Sequence, residues 1–288
     1  MQTSLENDHL RISVKSHGAE LCSLLKKVNQ LEYLWPGEPT YWGRHAPVLF
    51  PIVGRLKDDT YTFDGRRYEL SQHGFARDST FNLIEQTNRV LTYELTDSEA
   101  SRAHYPFAFR LRLHYELDGN TLWTGYEVHN PADTKMYFSI GGHPAYRCPL
   151  HTDEARSDYR LVFERPETLS TQRLSSGIRN GYREPILENT RVLILRDELF
   201  DQDALIFQPQ SDAIHLERND DRLWTFHFAG FPYLGIWSKN RQSPFICVEP
   251  WFGIADHHKT AGELTQKGGI VGLGGGGTWS CRYGVTIH

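Results

Sequence analysis

Short segments in which apolar and polar residues alternate leave this chain few ways to fold. Leu10-Arg11-Ile12-Ser13-Val14, Arg89 to Leu95, Phe107 to Tyr115, Leu122 to Val128, Leu161-Val162-Phe163 and Leu223 to Phe228 all read this way. A period of two puts one side-chain set on each face of an extended backbone, as in half-buried antiparallel strands. Turn chemistry agrees. Asp64-Gly65 separates Tyr61-Thr62-Phe63 from Arg66-Arg67-Tyr68-Glu69-Leu70, and Asp118-Gly119-Asn120 plays the same part between Tyr115 and Leu122. Helix is expected only in short pieces, at Ser98 to His104 and Ala261 to Lys267. Gly272-Leu273-Gly274-Gly275-Gly276-Gly277 reads as a loop before a final strand, Thr278 to Ile287. It is not a phosphate loop, because no Gly-Lys-Ser/Thr follows and no helix is in prospect. No linker, composition break or repeat divides the 288 residues. The expectation is an all-β fold, one large antiparallel β-sandwich-like domain over 1–288.

Composition narrows the function classes. The net charge of −5 carries no basic excess, which argues against nucleic acid or an anionic membrane as the main partner. No apolar run approaches the ~18 residues that span a bilayer. Met1 to Asp8 lacks a basic region followed by an apolar core, so a cytoplasmic protein is expected. Cys22, Cys148, Cys247 and Cys281 stand far apart with no C-x-x-C pair, which fits reduced thiols better than a zinc or disulfide framework. None of the 14 histidines falls in H-E-x-x-H or another common ligand spacing. His257 and His258 are adjacent, which on an extended chain sends them to opposite sides. Neither metal nor organic cofactor is expected.

Four polar stations interrupt apolar or glycine-containing sequence: Pro51-Ile52-Val53-Gly54-Arg55, Gln72-His73-Gly74-Phe75-Ala76-Arg77, Gly141-Gly142-His143-Pro144 and Phe245-Ile246-Cys247-Val248-Glu249-Pro250-Trp251-Phe252-Gly253. At the third, two glycines stop a strand and free the backbone for close approach or positive φ. Pro144 then disfavours the α region at His143, fixing the direction of a titratable ring. At the fourth, an apolar strand delivers Glu249 beside Trp251. Partial desolvation there raises a carboxyl pKa and makes a better base near neutrality, although a structural ion pair with an arginine is the competing reading. Asp203 enters the apolar Ala204-Leu205-Ile206-Phe207 and is a candidate for binding hydroxyls, or for an Asx turn. Trp35, Trp42, Phe75, Tyr146, Trp237, Trp251 and Phe252 suit packing against pyranose C–H faces, and equally an aromatic core.

Read together, Gly18-Ala19-Glu20-Leu21, Glu32-Tyr33-Leu34-Trp35, Ala46 to Leu56, Gln72 to Arg77, Gly142-His143-Pro144-Ala145, Asp203 to Phe207, Glu249 to Asp256 and Lys267-Gly268-Gly269-Ile270 resemble the aldose 1-epimerase (galactose mutarotase-like) superfamily, and most of all its LacX-like branch. The resemblance implies a large twisted antiparallel β-sandwich, the galactose mutarotase-like supersandwich, with few short helices and an open sugar cleft. It implies an isomerase that needs no cofactor, with a small-molecule sugar as partner. By motif the base falls on Glu249 and the acid on His143, with His73, Arg55 and Asp203 around the sugar. Arg77 competes with Arg55, because the mutarotases proper continue past Gly-Arg with Ala-Asn-Arg where this chain reads Leu56-Lys57-Asp58. The hexose-6-phosphate epimerase branch uses an arginine at the position of Arg77. Asp201 competes with Asp203 in the same way. Two other readings remain open: a carbohydrate-binding protein without turnover, and a hexose-6-phosphate 1-epimerase drawing on Arg44, Arg55, Lys57 and Arg77.

The histidine spacing carries a first prediction. A strong chelator is expected to leave melting temperature and any sugar turnover unchanged; a clear fall in either would reveal a required metal.

Overall fold

The computed structural model describes residues 1–288. Arg110–Asp118 and Thr121–His129 show what the alternation builds. They pair antiparallel through the Asp118-Gly119-Asn120-Thr121 turn. Leu111, Leu113, Tyr115 and Leu117 on one strand, with Leu122, Tyr126 and Val128 on the other, all face the core. These two strands lie within a nine-stranded antiparallel sheet that runs from Ile178–Ile194 at one edge to Asn82–Gln86 at the other. A six-stranded sheet contains Leu205–Phe207, Tyr233–Trp237, Phe245–Phe252, Ile140–Gly142 and Val48–Leu49, with Ala145–Arg147 also paired to Phe245–Phe252. A four-stranded N-terminal sheet completes the layers. Sixty buried residues form one continuous apolar cluster drawn from all three sheets. This is the expected all-β sandwich with few short helices.

Phe245–Phe252 positions the site. All of its residues but the last are buried, so it cannot follow the usual half-wet pattern. Ile246 and Val248 point into the main core, while Phe245, Cys247 and Trp251 belong to two smaller clusters on the opposite face. Glu249 shares that second face by the period of two. Tyr233–Trp237 splits likewise, with Leu234 and Ile236 in the main core and Trp237 on the second face. Its Gly235 pairs with Glu249. A Cβ on Gly235 would lie 2.5 Å from the Trp251 indole, so the missing side chain is what lets that ring lie flat on the strand.

Several readings of the sequence need correction. Gly141 and Gly142 do not stop a strand but lie within Ile140–Gly142, paired with Leu49 and Val48, and Gly272-Leu273 belongs to the strand Val271–Leu273 rather than to the loop. Ala261 to Lys267 forms only the single 3-10 turn Leu264–Gln266, because Gly262 stands at φ +84° and breaks a helix at its start. Phe107 to Phe109 precedes its strand, which begins at Arg110; Pro106 comes just before, and the Phe107 and Phe109 rings pack on Tyr105 instead. His257 and His258 do not diverge. Their rings lie 4.3 Å apart because the chain turns there and is not extended. Leu161 to Phe163 is a fragment of a 17-residue strand, Tyr159–Ser175, whose partner Ile178–Ile194 is polar enough to hide its periodicity. Helix Glu99–His104 does form, capped by the Ser98 hydroxyl, which accepts from the Ser101 N–H.

His73 and Gly74 both adopt left-handed backbone, at φ +68° and +70°. A Cβ on Gly74 would also stand 2.3 Å from the Phe50 carbonyl oxygen. Gly74→Ala is expected to cost roughly 2–5 kcal/mol, combining positive-φ strain with overpacking. Urea unfolding would measure it, and an unchanged midpoint would contradict the strain assigned here.

Candidate active site

A cleft of about 200 Å³ opens on the second face of the six-stranded sheet. Glu249 and His143 meet in it, with His143 Nε2 3.2 Å from Glu249 Oε2. Each comes from the local structure its sequence dictates. Glu249 rides the buried strand. His143 follows Ile140–Gly142, whose glycines serve close approach rather than positive φ. A Cβ on Gly141 would sit 2.5 Å from Trp251, and one on Gly142 2.7 Å from the Tyr283 hydroxyl. The His143 N–H donates to the Pro47 carbonyl at 3.1 Å. Trp42 stacks on the imidazole at 4.9 Å, while His73 and Trp237 meet it edge-on.

Burial decides the electrostatics. Glu249 is 1% exposed, and its pKa is driven well above the ordinary 4.5, first by desolvation and then by the charge of Asp203. His143 moves the other way, down to about 3, again mainly by burial and further by the positive fields of Arg77 and Arg44. The neutral pair, carboxylic acid with imidazole, and the charged pair, carboxylate with imidazolium, hold the same number of protons. A dry cleft favours the neutral arrangement. Either arrangement offers one proton and one lone pair. His143 Nδ1 has no protein partner, so Glu249 at Nε2 is the protein group that bears on which ring nitrogen carries the proton.

His73 is different. The Gly54 N–H donates to its Nδ1 at 3.1 Å, so the neutral ring must carry its proton on Nε2. Burial and the neighbouring His143 and Arg77 hold its pKa well below 6.5, leaving a neutral hydrogen-bond donor. The segment that follows Gly54 is held by a buried ion pair beyond the cleft. Lys267 Nζ reaches Asp256 Oδ1 at 3.0 Å and the Ile254 carbonyl at 2.6 Å. Asp256 in turn accepts from the Lys57 N–H and donates its own N–H to Arg55 O.

Of each competing pair, one residue lines the cleft and the other does not. Arg77 lines the cleft, with Nη2 donating to the Gln72 carbonyl and Nε buried without a hydrogen bond, 3.7 Å from Asp78 Oδ2. Burial lowers its pKa to about 10, assisted by nearby Arg44. Arg55 is not part of the cleft wall. It makes a bidentate pair with Asp59 at 2.8 and 2.6 Å, and it faces a neighbouring groove. Asp203 lines the cleft at φ +73°, its Oδ1 accepting from the Ala204 N–H. Asp201 is exposed and paired with Arg241. Trp251 forms part of the wall, as do Trp42 and Trp237, whereas Tyr146 and Phe252 belong to the core.

Leu174 and Gly177 complete the lining and were missed in the sequence. They sit at the tip of the long hairpin, where Ser176 (φ +52°) and Gly177 (φ +80°) make a tight turn between paired Ser175 and Ile178. Ser-Gly was the available signal. One grouping could hold a metal: ligand atoms of His143, Cys247 and Glu249 lie within 4.8 Å of one another. The Cys247 thiol is buried with its pKa pushed well up, which makes it a poor thiolate donor, so this grouping suits proton transfer better than ligation.

Comparisons with known proteins agree with this fold. The aldose 1-epimerase family model matches residues 1–270. The chromosomal LacX protein of Lactococcus lactis subsp. lactis is 33% identical over 298 residues, covering 100% of this chain and 99% of that protein. Among solved structures, a galactose mutarotase related enzyme from Lactobacillus acidophilus superposes with a TM-score of 0.95 at 34% identity, covering 100% of this chain and 97% of that one. A galactose mutarotase-like protein from Lactobacillus casei ATCC 334 gives 0.94 at 31%, covering both chains in full. The chain therefore belongs to the aldose 1-epimerase family, on the branch that includes LacX.

Proposed function

We propose that this protein is an aldose 1-epimerase that interconverts the α and β anomers of a hexose or related sugar. The observation that carries the reading is the 3.2 Å approach of His143 to Glu249 on the floor of an aromatic-walled cleft. Anomer exchange needs a proton taken from O1 and one given to the ring oxygen. From the arrangement in which the shared proton has passed to the ring, Glu249 as carboxylate takes the O1 proton while His143 as imidazolium protonates the ring oxygen. The C1–O5 bond breaks and an open-chain aldehyde forms. Rotation about C1–C2 presents the opposite carbonyl face, O5 re-attacks, and both protons return. The roles then reverse, as the shared-proton pair allows. His73 Nε2–H and Arg77 donate to sugar oxygens, Asp203 accepts from hydroxyls, and Trp42, Trp237 and Trp251 pack against C–H faces.

A purely binding protein needs hydroxyl partners but no acid–base pair, so the pairing favours the enzyme. A phosphorylated hexose is less well served. Arg77 is the one cation on the cleft wall, and the charge of neighbouring Arg44 is engaged by Asp78 at 2.8 Å. Polarimetry of freshly dissolved α-glucose, α-galactose and their 6-phosphates tests these readings together. Binding without conversion of any sugar would leave the carbohydrate-binding alternative.

Glu249→Gln keeps the shape but cannot accept a proton, and His143→Asn removes the acid. Each is expected to lower kcat by roughly 10²–10⁴-fold with little change in sugar affinity, and the double variant should lose less than the product. Asp203→Asn should mainly weaken binding, read by quenching of the cleft tryptophans. Full activity in Glu249→Gln would remove the base assignment.

Stability offers an independent check. With a folded pKa above 4.5, Glu249 keeps a proton that the unfolded chain releases once the pH exceeds that value. Native stability from this group is therefore full below 4.5 and falls as pH rises toward the folded value. Glu249→Gln should raise Tm at neutral pH, each kcal/mol recovered being worth about 2–4 °C in a chain of this size. The gap between variant and wild type should close as the pH drops below 4.5. A gap that does not vary with pH would contradict the burial cost ascribed to this carboxyl.

A further inference from the structure

The long hairpin of Tyr159–Ser175 and Ile178–Ile194 carries a second concavity. Gln172 pairs with Arg183 and Leu174 with Arg179, so the single residue Arg173 faces Asn180, Gly181 and Tyr182 across the ladder. The extra length bulges outward, and a bulge re-aims the side chains around it. Asn180 Oδ1 holds the bulge by accepting from the Tyr182 N–H at 2.9 Å. The segment after Glu249 packs alongside. Arg179 donates its N–H to the Asp256 carbonyl, and its own carbonyl accepts from the His258 N–H, each at 2.9 Å. A cavity of about 160 Å³ lies here, lined by Gln172, Arg179, Gly181, Tyr182, Arg183 and His257. None of these residues lines the Glu249 cleft or the groove beside it.

The side chains of this cavity present donors. Arg179 Nη1 donates to Gln172 Oε1 at 2.8 Å; a guanidinium can only donate, so the Gln172 amide NH2 keeps both hydrogens free. His257 Nδ1 accepts from the Lys259 N–H at 3.2 Å, which puts the proton of the neutral ring on Nε2. Gly181, at φ +87°, leaves that Nε2–H open, since a Cβ there would stand 3.2 Å from the nitrogen. Arg183 enters no ion pair, and the carboxylates next in the chain to Arg183 and His257 are taken. Arg173 holds Glu184 at 2.7 Å and Lys267 holds Asp256 at 3.0 Å. No carboxylate lines the cavity. Burial, then the charges of His258, Arg179 and Lys259, push the His257 pKa below 6.5. In a chain of net charge −5, cations crowded with no anion among them are not a sample of the general surface.

We propose that this bulge cavity binds a phosphate group, at a site separate from the Glu249 cleft. Four donor-bearing side chains match the several acceptor oxygens of a tetrahedral dianion better than the two of a carboxylate. The volume lies below the roughly 300–1,000 Å³ of pockets for larger ligands, which suits a phosphate alone or with a small ester group. Inorganic phosphate and a small phosphomonoester present the same face to these donors. Arg179 Nε also donates to the Ala255 carbonyl at 2.7 Å, and Ala255 lines the cleft, so one guanidinium braces both walls.

Calorimetric titration of the full chain with inorganic phosphate and with methyl phosphate tests the site, with sodium chloride matching ionic strength and acetate as the carboxylate control. At least one of the two phosphates should bind saturably at about millimolar concentration, and acetate should not. Uptake of methyl phosphate shows that an ester fits; uptake of inorganic phosphate alone makes the free anion the ligand. Arg183→Ala removes an exposed guanidinium, and His257→Asn keeps an acceptor for the Lys259 N–H but loses the Nε2–H. Each should weaken phosphate binding about tenfold or more, the worth of one charged hydrogen bond. Melting temperature in chloride should stay near that of the wild type, and if His257→Asn does not fold, the exposed Arg183→Ala decides alone. Arg77→Ala, which strips the cleft wall of its cation, should leave phosphate binding unchanged. Absence of saturable binding by both phosphates, acetate that binds as tightly, or phosphate binding that survives Arg183→Ala or vanishes in Arg77→Ala would overturn the site.

Discussion

Desolvation of one carboxyl group, that of Glu249, is the interaction around which the rest of the molecule is arranged. Water would stabilise its charge; the six-stranded sheet excludes it. The same exclusion pushes Glu249 up and His143 down, reversing their ordinary order, so that the shared proton rests on the carboxyl and the ring is neutral while the cleft is dry. No metal chemistry or nucleophile is needed to describe a proton exchange between them. The cleft has to keep the two groups in contact, dry and correctly aimed.

Keeping them aimed is the work of neighbouring backbone and of one buried ion pair. Gly235, Gly141 and Gly74 each stand where a methyl group would strike a ring or a carbonyl, and together they bring the strands and Trp251 close enough to seal the site. The Lys267–Asp256 pair ties the segment that follows Glu249 to the Arg55–Lys57 backbone. Gly54, next in line, orients His73. Breaking a buried pair of this kind typically costs about 3–5 kcal/mol, because the remaining charge is stranded. The pair therefore serves to hold geometry, and its net stabilisation is a lesser matter.

Charge is distributed unevenly over the cleft and its surroundings. Arg77 lines the cleft with only a long, 3.7 Å contact from its Nε to Asp78, while Arg55 is held bidentate by Asp59 and Arg241 by Asp201. A guanidinium with free donors in a partly buried wall is available to a ligand, whereas one already held bidentate is not. That difference separates two arginines and two aspartates that looked equivalent in the linear chain.

Much of the protein was legible in its sequence. Alternation over Arg110–Asp118 and Thr121–His129 showed an antiparallel sheet, because burial on one face selects residues with the period of the pleat. The apolar run ending at Glu249 marked a buried strand that delivers a carboxylate, and Gly-Gly-His-Pro marked a ring with a constrained direction. The hairpin Tyr159–Ser175 with Ile178–Ile194 escaped notice, since its outer strand is largely exposed and carries no apolar stripe. Tertiary structure alone decided which of Arg55 and Arg77, and of Asp201 and Asp203, reaches the cleft. These residues lie in turns and loops, where no periodicity dictates direction. Their orientation depends on partners tens to hundreds of residues away, as when Asp256 accepts from the N–H of Lys57. Local sequence determines which face of a strand a residue occupies, but long-range packing determines which loop residues meet across the cleft.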